Sequence, residues 1–203
     1  MTLHQEPWAH PMSTAPGFTL IELLLALALS VVLVGVAIPV GGDALDEMRT
    51  RAAARYVAGR IASMRLGAVN QSQAIGLRFL AGTPDYQFGA YVDGNGNGVR
   101  TGEIQSGTDF PLGTSRRLGA DFRGVHFGLT SGIPDVDGVR NTSTDGVRIG
   151  TAKILTISPD GTATSGTLYV QGARAQYAVR VLGATGRTRV LKYEPGSRSW
   201  VSS

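Results

Sequence analysis

Pro16-Gly17-Phe18-Thr19-Leu20-Ile21-Glu22-Leu23 opens the stretch on which the reading of the whole chain turns. From Phe18 to Val40 the sequence is rich in Leu, Ala, Val and Ile and carries one charge, Glu22. A helix of that length reaches about 34 Å at ~1.5 Å per residue, enough to cross a hydrocarbon core of ~30 Å. A secretory signal peptide has a shorter apolar core, a basic start and a small-residue cleavage site behind that core. Here a polar stretch comes first, and Gly17 stands between it and the apolar run. The segment therefore reads as a transmembrane helix. Glu22 is its anomaly, because a carboxylate at membrane depth costs at least ~2.5 kcal/mol and calls for a partner.

Beyond Val40 the pattern changes. Pro39-Val40-Gly41-Gly42 predicts a break in the helix. From Asp43 to about Val69, Leu45, Met48, Ala52, Tyr56, Ile61, Met64 and Ala68 recur at steps of three to five, while Arg49, Arg51, Arg55, Arg60 and Arg65 take much of the remaining surface. This is an amphipathic helix whose apolar stripe is expected to pack on a sheet. After Gln73 the apolar runs shorten to strand length. Strands are expected at Ala74–Leu80, Gln87–Val92, Val125–Leu129, Val147–Ile149, Ile154–Ser158, Thr167–Gln171, Gln176–Leu182 and Arg189–Tyr193, bounded mostly by Gly, Asp, Pro and Ser. Gln176–Leu182 alternates as a half-buried strand does. Gly98 to Gly146 is polar and poorly periodic, and long loops are expected there.

Composition agrees with a globular chain: 42% hydrophobic and 17% charged, with 28 glycines concentrated between the short apolar runs. Without cysteine there is neither a disulfide nor a thiolate metal site, and compartment has to be read from the N-terminus. The net charge of +4 permits a polyanionic partner without requiring one. The basic residues are arginine except for Lys153 and Lys192, and the segment after Thr162 is basic with Glu194 its single acid.

The residues from Pro16 to Leu23 resemble the processing signal of type IV pilins and type II secretion pseudopilins. The resemblance implies cleavage by a prepilin peptidase between Gly17 and Phe18, N-methylation of Phe18, and a role for Glu22 in filament assembly, where it would pair with the new amine of a neighbouring Phe18. Pro39 falls where many pilins carry a helix-kinking proline. Further on, Ile154-Leu155-Thr156-Ile157-Ser158-Pro159-Asp160-Gly161, the strand at Thr167–Gln171, the strand through Val181 and then Gly186-Arg187 resemble the FimT/GspH group of minor pseudopilins. The implied fold class is α+β and pilin-like, a long N-terminal transmembrane and amphipathic helix packed on antiparallel β-sheets. The implied organisation is a leader at 1–17, a transmembrane helix at 18–40, its amphipathic continuation at 41–72 and a periplasmic β-rich domain at 73–203. The implied function is a minor pseudopilin, a non-enzymatic structural subunit of a periplasmic filament in type II secretion or type IV pilus assembly. Its partners would be the prepilin peptidase, other pilins or pseudopilins and the inner membrane. The leader departs from the family by holding no Lys or Arg, and a start at Met12 would shorten it. Arg49, Arg51 and Arg55 would by the positive-inside rule put the far side in the cytoplasm. The leader motif argues for the opposite orientation, and Asp43, Asp46 and Glu47 lie nearer the membrane.

Catalysis finds little footing. His4 and His10 precede Gly17, which leaves His126, and no serine sits in a Gly-x-Ser-x-Gly turn. His126, between Val125 and Phe127, reads as a strand residue. No cofactor is called for, with one open question. Asp93, Asn95 and Asn97, then Gly98, copy the opening of a calcium loop, with Glu103 one position short of the usual closing place. The same residues also make an ordinary Asn/Gly turn. The other candidate is Gly186-Arg187-Thr188-Arg189, which resembles the GRxR pattern of DNA-binding FimT-type pilins. Arginines two apart on a strand share a face and suit successive phosphates. Lys192, Arg180, Arg174 and Arg198 could widen the patch, and Tyr193 or Trp200 could stack on bases. DNA contact in uptake, or plain solvated surface, are the two readings of this segment.

Overall fold

A computed structural model describes residues 17–140 and 143–203; the side chains of residues 34–41 lie outside the described ones. The chain divides into two units, residues 1–41 and 42–203. It is a mixed α+β protein whose strands all pair antiparallel.

In the first unit, helix α1 (Leu20–Gln71) begins. The Thr19 hydroxyl accepts the Glu22 N–H at 3.3 Å, so Thr19 caps the helix and Glu22 stands three residues in, where a carboxylate favours the positive end of the dipole. The side chains from Phe18 to Leu33 are exposed, Phe18 at 84%. Among the described residues no helix is long and apolar enough to cross a membrane. The expected span at 18–40 runs into residues 34–41, outside the described side chains. The helical assignment continues through Pro39-Val40-Gly41-Gly42, where the sequence led to a break.

In the second unit, α1 buries Thr50, Ala53, Ala54, Val57, Ile61, Met64 and Ala68. With Ala53 beside Ala54, the others follow steps of three and four, so the stripe exists, but its first half is offset from the expected one. Leu45 and Met48 are 50% and 68% exposed, and Ala52 is exposed too. Alanine carries little hydrophobic signal, yet it lets a helix approach a sheet closely, which is why the alanine line won.

The first sheet has the order β3-β2-β1-β7, with β4 also on β2: β1 (Ile75–Leu80), β2 (Gln87–Val92), β3 (Phe110–Pro111), β4 (Arg116–Arg117) and β7 (Ile154–Ile157). The second has the order β11-β10-β9-β8-β5, with β6 also on β8: β5 (His126–Phe127), β6 (Val147–Arg148), β8 (Gly166–Gln171), β9 (Gln176–Leu182), β10 (Arg187–Glu194) and β11 (Ser199–Ser202). The eight expected strands are all present, the two around His126 and Val147 shortened to two residues each. The polar middle adds two short helices, α2 (Thr101–Ser106) and α3 (Leu118–Asp121). One continuous core joins α1 to both sheets through Ile61, Leu77, Phe79, Phe88, Leu155, Leu168, Tyr177 and Val179. Phe79 and Phe88 meet the Phe127 ring edge-on at 5.4 and 5.6 Å, the favoured aromatic geometry.

The turn between β8 and β9 is bolted to α1. Both oxygens of Asp46 accept backbone N–H groups, from Ala173 (2.8 Å), Arg174 (2.8 Å) and Ala175 (2.9 Å). Burial pushes this carboxyl up, but the three donors outweigh it and hold it below its ordinary range. Gly172 is required beside them, since a Cβ there would collide with the Thr50 hydroxyl.

β9 differs from the half-buried expectation. Val179 and Val181 face the core as expected, yet Gln176 and Ala178 on the opposite face are also buried. Residues 129–139 cover that outer face, with Leu129, Ile133 and Val136 packed around Tyr169, Ala178 and Trp200. Gln176 is satisfied there, donating to the Gly128 and Val170 carbonyls and accepting from the Thr130 N–H and hydroxyl.

Candidate functional site

Gly17 and Phe18 precede α1 as exposed, non-helical residues, and Glu22 is exposed in its first turn. Glu22 thus sits at the opening of a row of uncovered apolar side chains. The capping role of Thr19 was readable from Thr-x-x-Glu, a pattern that marks helix starts.

The Asp93–Glu103 loop closes on itself. Asp93 Oδ1 accepts the N–H of Asn95 (3.1 Å) and Gly96 (2.8 Å), and Oδ2 accepts that of Gly98 (2.6 Å). Glu103 Oε1 accepts from the side-chain amides of Asn95 (3.1 Å) and Asn97 (2.7 Å). Desolvation raises the Asp93 pKa, but these donors prevail and lower it; the Asn97 and Asn95 amides lower that of Glu103. Asp109, which the sequence did not single out, braces the same loop by accepting the N–H of Gly94 (3.2 Å) and Arg100 (2.8 Å). The amide nitrogens of Asn95 and Asn97 face Glu103, so N–H donors fill the place where a cation would sit. Among the described residues, no group of three or more His, Cys, Asp or Glu is placed to hold a metal. Calcium gains no support, and the turn engages both oxygens of Asp93 and Oε1 of Glu103, while Glu103 Oε2 is buried without a hydrogen-bond partner among the described residues.

The Gly-Arg-Thr-Arg segment separates into two functions. Gly186 serves the fold: its φ is +59°, and a Cβ there would collide with the Gly161 carbonyl oxygen and approach the Arg65 side chain at 3.0 Å. Arg65 Nε in turn donates to that carbonyl at 3.1 Å, so at least this arginine of α1 is not a solvated one. Arg187 and Arg189 serve no such end. They lie on the outer face of β10, exposed, with no side-chain hydrogen bond or ion pair among the described residues. His126 is in β5, opposite Gln171, as a strand residue.

Lys192 does not join them. Three residues beyond Arg189, it points to the opposite face. There its Nζ lies 2.6 Å from Glu47 Oε1 and 3.2 Å from Glu194 Oε1, and the Glu47 contact raises its pKa. Arg174 pairs with Asp43 at 2.6 Å. Arg198 is exposed in the turn before β11. Tyr193 and Trp200 pack on each other at 5.4 Å, and Trp200 Nε1 donates to the Pro134 carbonyl at 3.0 Å, so Trp200 is engaged in holding residues 133–139 and Tyr193 is packed against it. Of the suggested additions, Arg180 shares the face of Arg189 and stands directly opposite it.

No protein-family model, curated protein or solved structure matches the chain.

Proposed function

We propose that this chain is a minor pseudopilin, a non-enzymatic subunit of a periplasmic pilus-like filament of the type II secretion or type IV pilus kind. A prepilin peptidase cuts between Gly17 and Phe18, and Phe18 is N-methylated. The apolar run from Phe18 to Val40 anchors the chain once across the inner membrane, with residues 42–203 in the periplasm. The observation that carries this reading is the row of large apolar side chains from Phe18 to Leu33, all exposed, with Glu22 the only charge among them. Apolar surface of that extent gains by burial in lipid or against like helices, at about 25 cal/mol per Å². Glu22 then has an ion partner in the Phe18 amine of a neighbouring subunit.

The test is co-expression with a prepilin peptidase. The wild type is expected to lose the residues before Phe18, measured as intact mass, and Gly17→Arg to keep them. Glu22→Ala should still be processed and inserted but should enter filaments poorly. An uncleaved wild-type chain would sink the assignment.

A second reading is favoured by one observation, the exposed and unpartnered Arg187 and Arg189 on one face of β10. Here the subunit binds DNA as a minor pilin in uptake, the two guanidinium groups gripping successive phosphates. Arg187→Ala/Arg189→Ala should abolish DNA retention, with the unfolding midpoint unchanged.

A further inference from the structure

The outer face of the second sheet carries arginine across its width. Register sets Arg148 of β6 opposite Thr167 of β8, Thr167 opposite Arg180 of β9, and Arg180 opposite Arg189 of β10. Arg187 follows two residues from Arg189 on the same face. Like charges directly opposite on adjacent strands destabilise a sheet, so the Arg180–Arg189 pair calls for a counter-charge.

Two of these arginines already hold carboxylates. Asp137 Oδ1 lies 2.6 Å from Arg180 Nη1, and Asp135 Oδ2 lies 3.5 Å from Arg148 Nη1. Both come from residues 133–139, which cross the outer face and are pinned at neighbouring points: Trp200 Nε1–H to the Pro134 carbonyl, and the Val136 N–H to the Tyr169 hydroxyl at 3.1 Å. Asp135 Oδ1 also accepts the N–H of Asp137 and Val139, which shapes the turn that presents Asp137. A cavity of about 520 Å³ is bordered by Asp135, Asp137, Arg148, Thr167, Tyr169 and Arg180. One end of the arginine row is therefore strapped by acid, while Arg187 and Arg189 at the other end are open.

We propose that residues 133–139 are an acidic strap whose carboxylates stand in for phosphate on this row. A DNA backbone arriving at Arg187 and Arg189 extends across the sheet by displacing Asp137 from Arg180 and Asp135 from Arg148. The proposal rests on the DNA-binding reading above and names what limits it. Exchange is feasible because a carboxylate and a phosphate use the same guanidinium fork. The displaced ion pairs are partly exposed and salt-screened, whereas each neutralised phosphate releases condensed counterions.

The experiment titrates a fluorescent DNA duplex with the full-length chain in detergent micelles, across a salt series. Asp135→Asn/Asp137→Asn removes the competing charge and keeps the Asp135 oxygen that shapes the turn. It is expected to bind roughly tenfold tighter at low salt, with a log–log salt slope steeper by about 1.8, the value for two further phosphates. The gain should vanish when Arg148→Gln and Arg180→Gln are added. Asp43→Asn/Asp121→Asn, which frees Arg174 and Arg116 elsewhere, is the charge-matched control and should give no comparable gain. If the strap variant should unfold, Asp137→Asn alone gives the same reading with half the slope change. Suppose the wild type binds and loses binding on Arg187→Ala/Arg189→Ala, yet the strap variant matches the wild type or its control. The strap is then overturned and the DNA reading stands. If neither the wild type nor the strap variant binds at low salt, the DNA reading fails and the strap with it.

Discussion

Asp85 shows how a single residue can be both required and uncomfortable. It is 7% exposed, and its Oδ1 accepts the N–H of Tyr86 at 2.7 Å and of the buried Phe127 at 3.0 Å. Its Oδ2 is buried without a hydrogen-bond partner among the described residues. Desolvation therefore raises its pKa, against the Phe127 and Tyr86 N–H donors and the nearby His126 and Arg117, which all lower it. A carboxyl raised in the folded state stabilises fully below its unfolded pKa, and that contribution is lost as pH rises through the folded value. Asp85→Asn keeps the Oδ1 acceptor and removes the charge, so at neutral pH it should match or exceed the wild type in urea midpoint. Asp85→Ala leaves the Phe127 N–H unpaired in the core and should cost about 1–3 kcal/mol. Equal losses from both variants would show that the charge itself is needed. Nothing in the sequence flagged Asp85, because its burial comes from a strand more than forty positions away.

Among the elements, those with a strong local pattern were legible. Gln87–Val92, a short apolar run, and Gln176–Leu182, an alternating one, appear with the boundaries expected of them. The two-residue strands β3 and β4 were not, since a run so short has no period and exists only because β2 offers it a partner. The cover on the outer face of β9 was equally hidden, as residues 129–139 look polar and take their order from Trp200 and Tyr169. The face of Lys192 was readable: three positions from Arg189 on a strand means the opposite side. Arg148 was missed for want of register, which no short window contains. Gly186 tests the element between β9 and β10. It combines positive φ with a Cβ direction blocked by the Gly161 carbonyl, whereas Gly196, before β11, has open space around it. Gly186→Ala should cost about 1–3 kcal/mol and Gly196→Ala at most about 0.5, measured by urea denaturation. A mild Gly186→Ala would mean that the turn can relax, and that the glycine of the Gly-Arg pair is not there for the fold.

For the whole molecule, the offset of the α1 stripe bears on assembly. The helix packs its alanine line on the sheets and leaves Leu45, Met48, Leu66 and Val69 exposed. An isolated subunit gains nothing from large apolar side chains on a solvated face, whereas a helix meant to lie among other helices does. If the chain enters a filament, Leu45 and Met48 are the large apolar residues of the second unit closest in sequence to the apolar run, and they belong at the subunit contact. Leu45→Ser/Met48→Ser should therefore leave the unfolding midpoint of the purified chain within about 0.5 kcal/mol of wild type, as exposed substitutions do. It should leave processing at Gly17 intact. The yield of the chain in sheared filaments should nevertheless fall, and the loss should be partly restored by Leu45→Ile/Met48→Leu, which keeps the apolar area. A drop in stability would mean that the two side chains cover the subunit's own core. Unchanged filament yield would place the contact on another face of α1, with Leu66 and Val69 the next pair to change.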